Sequence, residues 1–268
     1  ISATRTDKVP NTSATAASSG SDLNGWAAKL AAVELRNRLS AFWRAEKNLD
    51  GGLTFADGHV TSDDGQSWPF ADVVRAAYMG RVSLSATGYY RTPKIDWDAK
   101  TGQGRPFLYF AYGAAVSEVE IDTLTGANRV VRADILHDVG RSLNPDIDHG
   151  QIEGGYVQGM GWLTMEELVY SARGEVLTHA PSTYKIPCAS DRPDVLNIDL
   201  FENENTEDTI FKSKAVGEPP LMLAISAHSA LAHAVSSFSP PGRWPDLDAP
   251  ATAEEILRTI AAERVHSL

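Results

Sequence analysis

The chain has 268 residues, 43% hydrophobic and 8% aromatic, enough for one large or two ordinary domains around a buried core. Its 24 Lys and Arg against 35 Asp and Glu give a net charge of −11, which argues against a nonspecific grip on nucleic acid or anionic lipid. The single cysteine, Cys188, excludes an internal disulfide, a zinc cysteine cluster or an iron–sulfur centre within these residues.

The chain opens Ile-Ser-Ala-Thr-Arg-Thr, with no Met and no apolar leader, and reads as a piece of something longer. Residues 9–25 are small and hydroxyl-rich, the composition of a flexible linker. Leu23, Ala27, Leu30, Leu35, Leu39 and Phe42 then recur at near-helical spacing, predicting a helix capped by Ser19, Ser21 or Asp22. Small residues ending at a helix N-terminus also let backbone N–H groups approach an oxyanion. The stretch therefore reads either as a loop before a surface helix or as an anion cradle. A Gly- and Asp-rich segment fills 50–65, a second helix is expected over 70–81, and turn-rich residues 92–106 mark the expected lobe boundary.

From Phe107 the register turns to strands. Residues 107–111 are continuously apolar or aromatic, and Ser117, Val119 and Ile121 alternate with Glu118, Glu120 and Asp122. Thr125-Gly126-Ala127-Asn128 turns the chain into a partner strand over 129–136, an antiparallel pair. Residues 147–168 read as helix despite Gly150, Gly154, Gly155, Gly159 and Gly161, each costing about 0.5–1 kcal/mol relative to alanine. Spacing of four lays bare backbone along the helix surface, open to another backbone or to a bulky ligand, with Gln151 as its polar neighbour. Residues 181–187 are extended and Pro-bounded, 195–201 a strand, 221–236 a helix ended by Pro240-Pro241-Gly242, and 253–263 a last helix in the tail 239–268, with Thr252 and Glu255 spaced as a capping box. No run approaches the ~18 unbroken apolar residues of a membrane helix, and a reducing cytoplasm is the simplest compartment. Paired strands among separate helices predict an α+β fold.

Glu218 is the most constrained acid, between Gly217 and two prolines and just ahead of a helix. It reads either as a general base or as a helix-start carboxylate favoured by the macrodipole. His137-Asp138 and Asp146-x-Asp148-His149 lack a third partner at metal-ligand spacing and read as turn or capping residues. Walker, dinucleotide-glycine and Gly-x-Ser-x-Gly motifs are absent from the sequence.

Six strings in order add what single residues do not. Pro10-Asn11-Thr12-Ser13-Ala14-Thr15-Ala16-Ala17-Ser18, Asp22-Leu23-Asn24-Gly25, Phe107-Leu108-Tyr109-Phe110-Ala111-Tyr112-Gly113, Leu143-Asn144-Pro145 with Gly150-Gln151-Ile152-Glu153-Gly154, Pro181-Ser182-Thr183-Tyr184-Lys185-Ile186-Pro187, and Lys214-Ala215-Val216-Gly217-Glu218-Pro219-Pro220 resemble the xanthine dehydrogenase family. The chain is similar to the C-terminal part of the molybdenum-binding subunit of the bacterial two-subunit type. The resemblance implies the C-terminal portion of the molybdopterin-binding region of a molybdenum hydroxylase. Its reaction would take hypoxanthine to xanthine and xanthine to urate, with water as oxygen source.

It further implies Glu218 as the general base activating a molybdenum-bound hydroxyl, and Ala16, Ala17, Ser18, Ser19, Gln151 and Gly217 as cofactor-binding residues. Ala17 would lie with its backbone next to the metal and not as a side-chain ligand. Two [2Fe-2S] clusters, FAD and the acceptor NAD would belong to other domains or subunits, in a heterotetramer with an iron–sulfur/FAD subunit and the upstream part of the molybdenum subunit. The family's residues that clamp and orient the purine have no counterpart here, so the chain alone is expected to be inactive. An aldehyde-oxidase-like hydroxylase and a non-catalytic assembly chain are the alternatives.

Overall fold

The computed structural model describes Arg5, Asp7, Ala16 and residues 18–266. The chain divides after Leu108 into two units, each with its own core. In the first, helix α1 (Gly20–Lys47) is followed by a three-stranded antiparallel sheet of β1 (Leu53–Ala56), β2 (His59–Ser62) and β3 (Ser67–Pro69), and by helix α2 (Phe70–Met79). Trp43, Val60 and Val73 form the buried centre, and Trp43 meets Trp68 edge-on at 5.5 Å between ring centroids. Of the stripe expected on α1, Leu39 is buried and Leu23, Ala27, Leu35 and Phe42 are half-buried, whereas Leu30 is 39% exposed. Residues 82–91 are strapped to α1 by Arg38, which donates to the carbonyls of Ser83 (2.7 Å) and Ser85 (2.9 Å), and Trp26 stacks on Tyr90. A Cβ on Gly88 would come within 1.8 Å of the Ala27 carbonyl oxygen, so only glycine lets this strap lie against the helix. Residues 92–106 are not wholly irregular, since β4 (Asp96–Asp98) and β5 (Gln103–Arg105) pair there as a small hairpin.

The second unit is built on a three-stranded sheet. Strand β6 (Gly113–Ile121) pairs antiparallel with β7 (Asn128–His137), and β8 (Val195–Leu200) adds in parallel to the far side of β7. Ser117, Val119 and Ile121 turn inward and Glu118 and Glu120 outward, as the alternation predicts. Residues 107–111 are not a strand: Leu108 is buried, but Phe107 and Phe110 are each 58% exposed. Helix α3 (Pro145–Thr164) begins at Asn144, whose side chain accepts from the Ile147 N–H, with Pro145 at the first helical position. Ile152, Tyr156, Met160 and Leu163 of α3 pack on Val130, Ala133 and Ile135 of β7.

The helix expected over 221–236 is three pieces: a 3₁₀ turn (Pro219–Ala224), helix α4 (Ile225–Val235) and a second 3₁₀ turn (Ser236–Phe238). Among the described residues this 20-residue stretch is the one long and apolar enough, by length and composition alone, to cross a bilayer. Met222 and Ile225 stay about half exposed, but part of its apolar surface is taken by protein: Ala224 and Ala227 enter the core of α3 and β7, and Leu231 and Val235 a second cluster of the same unit. There they meet Ile256 and Ile260 of helix α5 (Ala253–His266). Thr252 caps α5 by accepting from the Glu255 N–H, but the Glu255 carboxylate serves Asp248 and Arg258, leaving the expected box half made.

Candidate functional site

Glu218 occupies the N-cap of the 3₁₀ turn Pro219–Ala224, exposed, with its carbonyl accepting from the Leu221 N–H at 3.0 Å. The two prolines after it fix the backbone on one side. Below them lies α3. A Cβ on Gly155 would sit 2.9 Å from Pro220 Cβ, and one on Gly159 would sit 2.4 Å from the Leu221 carbonyl oxygen and 2.8 Å from Ala224 Cβ. This glycine pair is therefore a seat for backbone. The seated segment runs from Pro220 over Gly155 to Ala224 over Gly159, so Glu218 comes at the end of α3 that carries Gln151. Gln151 lies one turn before Gly155 on the same face and is exposed. Gly161 takes a second segment in the same way: a Cβ there would meet the Pro187 ring at 2.3 Å, which lays the end of residues 181–187 on the helix. Tyr184 of that segment donates to Glu166 at 2.7 Å.

Gly150 and Gly154 differ. Added Cβ atoms there meet nothing within 4 Å. The first turns of α3 thus present bare, open backbone beside the Gln151 amide, whereas the later turns are covered.

The chain leading into Glu218 is held from behind. Phe211 and Lys212 adopt left-handed backbone (φ 49 and 65°), an uncommon conformation for such residues. The Lys212 carbonyl accepts from the Arg141 and Asn205 N–H groups, each at 3.0 Å. Lys214 N–H donates to Val139 O at 2.7 Å and Ala215 N–H to the Tyr109 hydroxyl at 2.8 Å. Lys214 Nζ reaches Asp138 Oδ2 at 2.5 Å with both side chains buried, and Asp138 also accepts from Gly140 N–H (2.8 Å) and Asn203 Nδ2 (3.1 Å). Burial alone would raise the Asp138 carboxyl; the hydrogen bonds from Lys214, Gly140 and Asn203 outweigh it and hold the group below its ordinary value.

Among the described residues no three His, Cys, Asp or Glu side chains are grouped to hold a metal ion. Asp138 caps the turn at Gly140 with one oxygen, as expected, and is also half of an ion pair with the other, and Asp148 accepts from the Ser142 hydroxyl at 2.5 Å. His137 is buried, its Nδ1 without a hydrogen-bond partner, and burial lowers its pKa. In the first unit, Ala16 and Ser19 close a turn (Ser19 N–H to Ala16 O, 3.2 Å), Ser18 has φ 55°, and Ser19 is the N-cap of α1 without its hydroxyl accepting from the first turn. Ala17 lies outside the described residues. Gly217 is half-buried immediately before Glu218. A cavity of about 1040 Å³ in the second unit, lined by Thr164, Met165, Leu168, His179, Tyr184 and Cys188 among others, includes none of these residues.

An α+β chain with an open glycine face and an anchored carboxylate suits a large organic cofactor. That is the class to which it belongs: residues 1–193 match the molybdopterin cofactor-binding domain, and the chain is a member of that family. Within it, the chain is 43% identical over 262 residues to the xanthine dehydrogenase of Dictyostelium discoideum and 46% identical over 264 residues to the xanthine dehydrogenase/oxidase of Felis catus. Each alignment covers 96% of this chain and 18% of the relative, so the chain spans about a fifth of their length. Its fold matches CO dehydrogenase from Oligotropha carboxidovorans with a TM-score of 0.77 at 20% identity, over 97% of this chain and 31% of that one.

Proposed function

We propose that this chain is part of a molybdenum hydroxylase that oxidises hypoxanthine to xanthine and xanthine to urate, with Glu218 as its general base. The observation that carries the reading is the placement of Glu218. It is an exposed carboxylate at the tip of a segment tied down behind and seated on glycine ahead, toward the open Gly150–Gly154 face. Each turnover adds one oxygen from water to a ring carbon and releases two electrons and two protons. When bound, the molybdenum cofactor supplies the two-electron acceptor and the place where water is activated. Glu218 takes up, at its carboxylate, the proton lost by the attacking oxygen, and its fixed backbone keeps that acceptor in place without a search. Gln151 offers two donors and one acceptor to the polar edge of the cofactor, and the bare backbone at Gly150 and Gly154 lets a wide ring system lie close. By the same family resemblance, Ala16, Ala17, Ser18, Ser19 and Gly217 are further cofactor-binding residues in this reading. The purine-clamping residues, the iron–sulfur clusters, FAD and NAD come from an upstream segment and a partner subunit in a cytoplasmic heterotetramer serving purine breakdown.

The test is co-expression of this chain with the rest of its enzyme, wild type beside Glu218→Gln, with molybdenum and pterin content measured alongside xanthine turnover. Equal cofactor content and a kcat lower by about 10²–10⁴ in the variant are expected. Normal turnover by Glu218→Gln removes the base, and aldehyde turnover without xanthine turnover removes the purine.

A further inference from the structure

The ion pair behind Glu218 carries an inference beyond the base itself. Lys214 and Asp138 are 76 residues apart in the chain, and their side chains are each 6% exposed. Taking two charges out of water costs about as much as their attraction returns, so such a pair is a poor device for stability alone. Its contribution is geometric. Asp138 is aimed by the Gly140 N–H and by Asn203, and the Lys214 ammonium lies 5.0 Å over the Tyr112 ring, so the ammonium has one place to go. From there the chain to Glu218 has little slack: Ala215 N–H is bonded to Tyr109, Val216 packs on the core, and Pro219 and Pro220 follow.

We propose that Lys214 and Asp138 are a positioning pair for Glu218, fixing where its carboxylate stands without touching substrate or cofactor. This rests on the reading of Glu218 as the base. The pair acts through the backbone: it sets Lys214, whose N–H bonds Val139, and thereby the start of the five-residue run that ends in the carboxylate.

The experiment is a double-mutant cycle in the cofactor-loaded enzyme, with Asp138→Asn and Lys214→Arg each made in wild-type and Glu218→Gln backgrounds. Asp138→Asn is expected to lower kcat by about 10- to 100-fold with KM within about twofold, the size of a small misplacement of a reacting group. In the Glu218→Gln background it is expected to cost less than about twofold, because there is no base left to misplace. Lys214→Arg, which keeps the charge, is expected to retain more activity than Lys214→Met. A second readout needs no activity: in the cofactor-free protein, Asp138→Asn should speed amide exchange at Lys214 and Ala215 while α3 and β7 stay protected. If Asp138→Asn does not fold, Asp138→Leu/Lys214→Met, which removes both charges, takes its place with the same expectations. Equal kcat losses in both backgrounds, or unchanged exchange at Lys214 and Ala215, overturn the proposal and leave the base intact. Normal turnover by Glu218→Gln is a different failure, of the base itself.

Discussion

Gly155 and Gly159 lie beneath the Pro219–Ala224 turn, where an added Cβ would strike Pro220 or the Leu221 carbonyl; Gly150 and Gly154, at the same spacing on the same helix, face open space. The first pair is spent on a protein segment and the second is not. A close approach of backbone explains why Gly159 tolerates no side chain, but no contact among the described residues explains Gly150 or Gly154. Glycine in a helix costs stability, so two such residues left bare next to an exposed Gln151 need a use outside the described residues. The cofactor of this family, lying over the first turns of α3, is the use proposed above.

Substitutions can break this comparison. The largest effect is expected from Gly159→Ala, which drives a methyl into backbone and should cost about 1–3 kcal/mol by overpacking, with a lower Tm and, because the turn shifts, a lower kcat. Gly155→Ala meets the Pro220 ring carbon at 2.9 Å and the Leu221 nitrogen at 3.3 Å, looser than the 2.4 Å approach at Gly159, and should cost less. Gly154→Ala should do the reverse in the cofactor-free protein, raising stability by up to about 1 kcal/mol through helix propensity. In the loaded enzyme it should lower pterin content, so that a higher Tm comes with less cofactor. A rise in Tm with full loading would mean that the open face is merely unoccupied surface.

The smallest effect concerns His137, at the edge of the anchored region. Burial depresses its pKa below 6.5, and the unfolded ring binds a proton near that value while the folded ring does not. Stability is therefore complete above about pH 6.5 and declines as pH falls from there toward the lower folded value. Thermal melts of His137→Leu between pH 7 and 5 should be flatter than those of the wild type; equal slopes would assign the dependence to other groups.

What the sequence made legible follows from range. The strands around Thr125-Gly126 and the Thr252 cap are local patterns, and they stand as read. Strands β1 and β2 were hidden because four-residue strands in a Gly- and Asp-rich stretch carry too few side chains to show a period. Residues 107–111 misled in the opposite way, since an apolar run signals burial without saying what buries it, and Phe107 and Phe110 remain exposed. Glu218 stood out through its prolines, yet its anchors did not: Asp138 and Lys214 meet across 76 residues with no local signature, and only the folded chain joins them. Nor does the spacing of glycines tell the covered pair from the open one, because the cover comes from residues 219–224.

Placement of the cofactor over the open face is the central claim, and an experimental structure of the cofactor-loaded enzyme measures it directly. The pterin should lie along Gly150–Gly154 with a polar atom about 3 Å from the Gln151 amide, and the Glu218 carboxylate should face the metal. A pterin bound elsewhere, with Gln151 in solvent and Glu218 turned away from the metal, would contradict it.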